Sequence, residues 1–171
     1  YFYEEKSYKD LKKNYLKFHF LVKKKRLKIV TFSDKSFEMY ASIASIFLTN
    51  NIWIPLSLSL PADRILKVLK LSKVDIILVE DHSKILKNDK IKKYINFSKI
   101  KVISYTEICK QKEGKNLIKV SKFDLDNLSM IYFTSGSTGE PKGVCITYNN
   151  FINFFKYKNK FLYKNKKNLI F

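Results

Sequence analysis

"IYFTSGSTGEPKGVCIT", residues 131 to 147, is the stretch on which the reading of this chain turns. The whole sequence has four glycines in 171 residues. Three of them, Gly136, Gly139 and Gly143, fall within this stretch. Thr134, Ser135, Ser137 and Thr138 crowd around them, and Lys142 follows. An apolar strand, "SMIYFT", leads in, and a second strand, "VCIT", leads out. Glycines let a backbone adopt positive φ and approach a ligand without a Cβ in the way. Successive N–H groups in such a turn can converge into an anion nest. The hydroxyls can donate further bonds, and the Lys142 ammonium adds a charge-assisted one. A polyphosphate uses every one of these features. A plain hairpin turn takes about two to five residues, and the composition suggests a loop nearly twice that long. The Walker pattern requires Lys followed by Ser or Thr before a helix. Here Gly143 follows Lys142, so that pattern is excluded, and the dinucleotide spacing fails too.

Upstream, strands and helices alternate. Tyr8, Leu11, Tyr15, Phe18 and Val22 step by three and four, which predicts a helix from Ser7 to about Val22. Ser7 with Asp10 three positions on predicts its capping box. "LKIVTF" (27–32) reads as a strand. Phe37 to Leu48 reads as a helix apolar nearly all round, hence sandwiched. A turn follows at Asn50-Asn51, then a strand from Ile52 to Leu56. Pro61 starts a helix over Ala62 to Leu71, and "VDIILVE" (74–80) is a buried strand. A helix over Ile85 to Ile95, a strand at 101–105, and a short helix in "EICK" running into a loop at Gly114 follow. After the glycine loop a helix is predicted from about Asn149 to Asn159, with "NLIF" opening another strand. Continuous apolar strands between helices predict a layered α/β (α-β-α) sheet covered on both faces.

The formal charge is +19, which raises the question of a nucleic-acid partner. Of 34 basic residues only Arg26 and Arg64 are arginine. Base-edge recognition favours arginine forks. The excess of Lys, Asn, Ile, Phe and Tyr shares A/T-rich codons, so base bias accounts for the charge and no nucleic-acid partner is expected. Met39 to Ala62 carries no charge and is long enough to cross a bilayer. Asn50, Asn51, Pro55 and Pro61 interrupt it, so it reads as buried helix, turn and strand, and no membrane partner is expected. Cys109 and Cys145 match no metal spacing, and His19 and His82 have no ligand partners in sequence. A reducing, cytoplasmic setting is the expectation. The chain starts at Tyr1, which suggests that the native start lies upstream.

With these residues in view, "TSGSTGEPKGV" (134–144) resembles the phosphate-binding signature of the AMP-forming adenylating synthetases. That superfamily holds acyl-CoA synthetases, luciferase and nonribosomal-peptide adenylation domains. "ITYNNFINF", "IWIPLSLSLPADRI" and "SYKDL" resemble further elements, so the likeness runs from about Ser7 to Phe171. The resemblance implies the first part of the large N-terminal α/β domain, with residues 1–171 a partial subdomain and the loop at 134–143. It implies that a carboxylate, an amino acid or acyl acid, attacks ATP with Mg²⁺ present. An acyl-adenylate forms, pyrophosphate leaves, and a thiol of CoA or of a carrier-protein phosphopantetheine takes the acyl group. "LPADRI" and Ser137 tilt the reading toward the carrier-protein branch. The loop's role with the β- and γ-phosphates falls on Thr134, Ser135, Gly136, Ser137, Thr138, Gly139 and Lys142, with Lys142 also as the catalytic cation.

Asn50-Asn51, Ser57 and Tyr148 depart from the common pattern, where a small residue with glycine, an acid or amide, and histidine are frequent. The aromatic substrate motif, the acidic metal motif, the ribose-binding aspartate, the hinge and the C-terminal lysine are expected beyond Phe171. The stretch alone is therefore expected to be inactive. A non-catalytic phosphate-binding remnant and an acyl-CoA synthetase fragment are the alternatives.

Overall fold

The computed structural model describes residues 6–22, 26–32, 36–111, 124–135 and 139–162. Its centre is a six-stranded sheet in the order β4-β3-β1-β2-β5-β6. The strands are β1 (Lys28–Phe32), β2 (Ile52–Leu56), β3 (Ile76–Val79), β4 (Lys101–Ser104), β5 (Leu128–Ser135) and β6 (Pro141–Thr147). The first five run parallel, and β6 returns antiparallel to β5.

Helices α1 (Tyr8–Leu21), α2 (Phe37–Leu48) and α6 (Tyr105–Lys110) cover one face. Helices α3 (Ala62–Ser72), α4 (His82–Leu86) and α5 (Asp89–Phe97) cover the other. Alternation along β1 shows the division: Ile29 joins the α1/α2/α6 core, whereas Val30 and Phe32 join the α3/α5 core. All four residues of β3 are buried, as a parallel strand between two helical layers must be. Helix α7 (Tyr148–Leu162) follows β6.

Local chemistry sets the boundaries. Ser7 and Asp10 form the expected reciprocal capping box. Asn50 takes φ of 58°, the left-handed turn expected after α2. Its neighbour Asn51 is fully buried and accounts for itself: Oδ1 accepts from the Leu27 N–H at 2.9 Å, and Nδ2 donates to Thr49 Oγ1 at 2.8 Å. This is how the departure at Asn50-Asn51 is accommodated. Pro61 sits at the cap of α3, one residue before the helix proper.

Several expectations are corrected. The helix over Ile85 to Ile95 is two helices, because Asn88 caps α5 by accepting from the Ile91 N–H at 3.2 Å. The strand at 101–105 ends at Ser104, which caps α6 in a second capping box with Glu107. Helix α2 is sandwiched on one side only; Tyr40 and Leu48 remain exposed. Coverage of both faces holds for β1 to β3 but not for β6, whose central residues Lys142 to Cys145 are exposed. The loop at Gly114 and the strand at "NLIF" lie outside the described residues. No helix among the described residues is long and apolar enough to cross a membrane.

Candidate nucleotide-phosphate site

The glycine stretch forms the far end of the β5–β6 hairpin. The ladder runs from Leu128↔Thr147 to Ser135↔Pro141. The connection is therefore residues 136–140, within ordinary hairpin length. The expectation of a loop too long for a hairpin is thus overturned. Ser, Thr, Gly and Pro disguise strand residues here, and the ladder absorbs Thr134, Ser135 and the "PKG" of the motif.

β5 is parallel to β2 through the pair Trp53↔Met130. The hairpin end accordingly projects from the carboxyl ends of the parallel strands, where open α/β sheets gather their ligands. Thr134 and Lys142 are direct register partners. Opposite positions in an antiparallel pair share a face, so the hydroxyl and the ammonium emerge together, both exposed to solvent. Thr134 Oγ1 stands 3.5 Å from the Lys142 carbonyl oxygen, too far for a strong bond. That hydroxyl can turn to an incoming oxygen.

Two glycines do different work. Gly139 has φ of +77°, and a Cβ there would meet nothing within 4 Å. The backbone conformation, with open space around it, is what calls for glycine. Gly143 faces Phe133 across the ladder, and a Cβ would come within 3.1 Å of Ile131 Cγ2 and 3.3 Å of the Phe133 ring. Its glycine is a packing requirement. Next to Gly139, Glu140 pairs with Lys67 of α3 at 2.6 Å. This ion pair joins the hairpin tip to the helical layer, and nothing in the local sequence announces it. Pro141 is buried beside it.

Of the residues expected to form the site, the structure brings Thr134 and Lys142 together and sets Gly139 in an open left-handed turn. Ser135 ends β5. Gly136, Ser137 and Thr138 lie outside the described residues. Behind the hairpin, Tyr148 opens α7 and donates from its hydroxyl to the Phe47 carbonyl at 3.0 Å. Phe47 stacks edge-on with Tyr148, Trp53 and Phe151. Burial pushes the Tyr148 phenol up to about 12, with the Arg26 charge pulling weakly the other way. Among the described residues no group of three His, Cys, Asp or Glu side chains could hold a metal ion.

The family model for the AMP-binding enzyme matches residues 1–169. The chain belongs to the AMP-binding enzyme family. Within that family, a malonate–CoA ligase of Arabidopsis thaliana is 34% identical over 120 residues, covering 67% of this chain and 20% of that protein. A D-alanine–D-alanyl carrier protein ligase of Streptococcus equi subsp. equi is 26% identical over 156 residues, covering 88% of this chain and 28% of the relative. The chain thus spans a fifth to little more than a quarter of these relatives. The solved structure of McyG A-PCP with phenylalanyl-adenylate superposes with a TM-score of 0.75 at 24% identity, over 94% of this chain and 30% of that one. Apo MatB of Rhodopseudomonas palustris gives 0.76 at 14% identity, over 92% and 32%. The fold of this chain is that of the N-terminal α/β region of those enzymes.

Proposed function

We propose that this chain is the loop-bearing first part of a ligase that activates a carboxylate with ATP. Residues 1–171 form a partial N-terminal subdomain, and 134–143 is the phosphate-binding segment. Thr134, Ser135, Gly136, Ser137, Thr138, Gly139 and Lys142 hold the β- and γ-phosphates. The carboxylate oxygen bonds to the α-phosphorus, the α–β bridging bond breaks, and pyrophosphate leaves with its electron pair. The resulting acyl-adenylate passes its acyl group to a thiol, and AMP departs. The observation that supports this most directly is the paired emergence of Thr134 and Lys142 at the hairpin end, beside the open turn at Gly139.

Little covalent work falls to this segment. Its contribution is positioning the triphosphate and stabilising the charge that builds on the leaving group. Lys142 supplies a fixed positive charge there. Magnesium, a hard cation that takes oxygen ligands, would supply further neutralisation there. This segment offers hydroxyl oxygens at Thr134 and its neighbours, not a carboxylate cage.

ATP–pyrophosphate exchange in the full-length protein tests the assignment. Lys142→Ala is expected to lower the exchange rate at saturating ATP by about a hundredfold, while the KM for the carboxylate stays nearly constant. Unchanged exchange at saturating ATP would remove Lys142 from its role. The acceptor thiol is read by supplying CoA or a phosphopantetheinylated carrier protein. The likeness to both a CoA ligase and carrier-protein ligases makes a thioester the expected product with one of them.

A further inference from the structure

A cavity of about 440 Å³ lies where β2 and β5 part. The two strands share one register pair, Trp53↔Met130. Beyond it Pro55, which carries no N–H to extend a ladder, and Leu56 face the cavity from β2, and Tyr132 and Phe133 face it from β5. Met39, Trp53, Leu60 and Val68 make the rest of the lining mostly apolar. Arg64, from the first turn of α3, is the one charged member among the described lining residues.

Arg64 is half-buried, and among the described residues its guanidinium has no hydrogen bond and no ion pair. The acid beside it in sequence does not serve it: Asp63 pairs with Lys90 at 3.2 Å. An arginine cannot neutralise itself by losing its proton. Partly buried against apolar surface and without a protein counter-ion among the described residues, it is open to an anion that enters the cavity. Its planar fork matches a carboxylate in a bidentate pair. The volume falls within the usual range for small-molecule sites, about 300–1,000 Å³.

We propose that this cavity binds a small organic carboxylate with an apolar body, its carboxylate on Arg64 and its body against Trp53, Met39 and Phe133. This goes beyond the adenylation reading and stands without it. None of the described residues of the 134–143 segment lines the cavity. The ligand is either the acid being activated or a separate effector acid, and both present the same chemistry to Arg64.

Trp53 is the single tryptophan of the 171-residue sequence and lines the cavity, so its fluorescence reports directly. The probe is 3-phenylpropionate, with 3-phenylpropanamide as the neutral control, titrated into the full chain without ATP and followed by calorimetry as well. The carboxylate is expected to shift Trp53 emission and to bind at least about tenfold tighter than the amide, the loss expected for a charge-assisted bond. Arg64→Gln should abolish that preference, and Arg64→Lys should keep part of it. Ser57→Asp, which places a carboxylate within the same lining, should block binding by engaging Arg64 internally.

Circular dichroism shows whether each variant is folded, and Arg64→Lys carries the test if Arg64→Gln is not. No Trp53 response and no heat at millimolar probe would overturn the proposal. So would equal affinity for acid and amide, or binding that survives Arg64→Gln in a folded protein. ATP–pyrophosphate exchange driven by the probe in the full-length protein would make the ligand the substrate; binding without exchange makes it an effector. Either leaves the cavity assignment standing, and its failure leaves the role of Lys142 untouched.

Discussion

The four strands β4-β3-β1-β2 and the β5–β6 hairpin share one sheet but solve different problems. In the first group Ile29, Val30, Phe32, Ile54, Ile77, Leu78 and Val79 are completely buried, with helices on both faces. In the hairpin, Tyr132 is 51% exposed and Val144 is 49% exposed, and the outer strand carries Lys142, Gly143 and Cys145 in the open. The parallel group supplies rigidity by burial. The hairpin gives up burial and presents hydroxyls, a cation and a left-handed glycine at its end. Stability and chemistry are thereby separated along the sheet, with the β2–β5 register pair, the Lys67–Glu140 ion pair and the Tyr148–Phe47 hydrogen bond among the links between them.

The sharpest test of that separation is a pair of truncations. Ile77→Ala, in the centre of β3, should destabilise the fold by about 2–5 kcal/mol through lost transfer energy and a cavity between two packed layers. Val144→Ser, on the hairpin's exposed face, should change stability by no more than about 0.5 kcal/mol. Urea unfolding monitored by circular dichroism measures both. A Val144 effect matching that of Ile77 would mean that the hairpin is packed as the parallel group is, and the contrast would break.

How much of this was readable beforehand follows the same division. β1, β2 and β3 announce themselves because strands buried on both faces must be continuous in Ile, Leu and Val. The caps at Ser7 and the turn at Asn50 were legible because their side-chain chemistry is local. What escaped was chemistry without a local signature. Lys73 and Lys99 occupy left-handed φ of 48° and 54°, sites where glycine or asparagine is the usual signal. Lys99 lies in the short turn between α5 and β4, and Lys73 closes α3. Such a backbone disfavours lysine by roughly 1–2 kcal/mol, and a chain with four glycines accepts it. The strand order, with β1 between β2 and β3, comes from crossover connections that no periodicity encodes.

In the candidate site the motif's residue types pointed to a phosphate cradle. The facing of Thr134 and Lys142 depended on a ladder hidden under loop-like composition. The Lys67–Glu140 tie spans 73 residues and had no signal at all. Arg64 was visible as one of two arginines, yet its lack of a partner among the described residues is a fact of three dimensions.

The two hairpin glycines sharpen the comparison at a smaller scale. Gly139→Ala leaves space untouched and forces a side chain into positive φ, with an expected loss of about 1–2 kcal/mol. Gly143→Ala keeps a normal backbone but presses a methyl against Ile131 and the Phe133 ring, with an expected loss of about 1 kcal/mol. Thermal unfolding ranks them. The side-chain environment separates them further: only Gly143→Ala should shift the Phe133 ring resonances, because only there does the new methyl touch a neighbour. Ring shifts in Gly139→Ala with none in Gly143→Ala would contradict the register of the hairpin.

The smallest expected effect lies at the junction of the two regions. Tyr148 follows the last residue of β6, and its hydroxyl donates to the Phe47 carbonyl of α2 at 3.0 Å. Burial raises its folded-state pKa to about 12, against 10.0 for the free phenol. The folded state therefore holds the phenolic proton more tightly than the unfolded chain does. Linkage then requires that stability fall wherever the unfolded chain has lost that proton and the folded one has not. The contribution is fully present below about pH 10 and is lost as the pH climbs through about 12. Many lysines titrate in the same window, so the quantity to measure is the difference in unfolding midpoint between the native chain and Tyr148→Phe, followed from pH 8 to pH 12. That difference should favour the native chain below about pH 10 and shrink above it, since Tyr148→Phe has no proton to lose and no hydroxyl to donate. The group is only partly buried, and solvent screening keeps the effect smaller than those above. A difference independent of pH would mean that Tyr148 remains water-exposed, and that the hairpin meets α2 less closely than the bond to Phe47 requires.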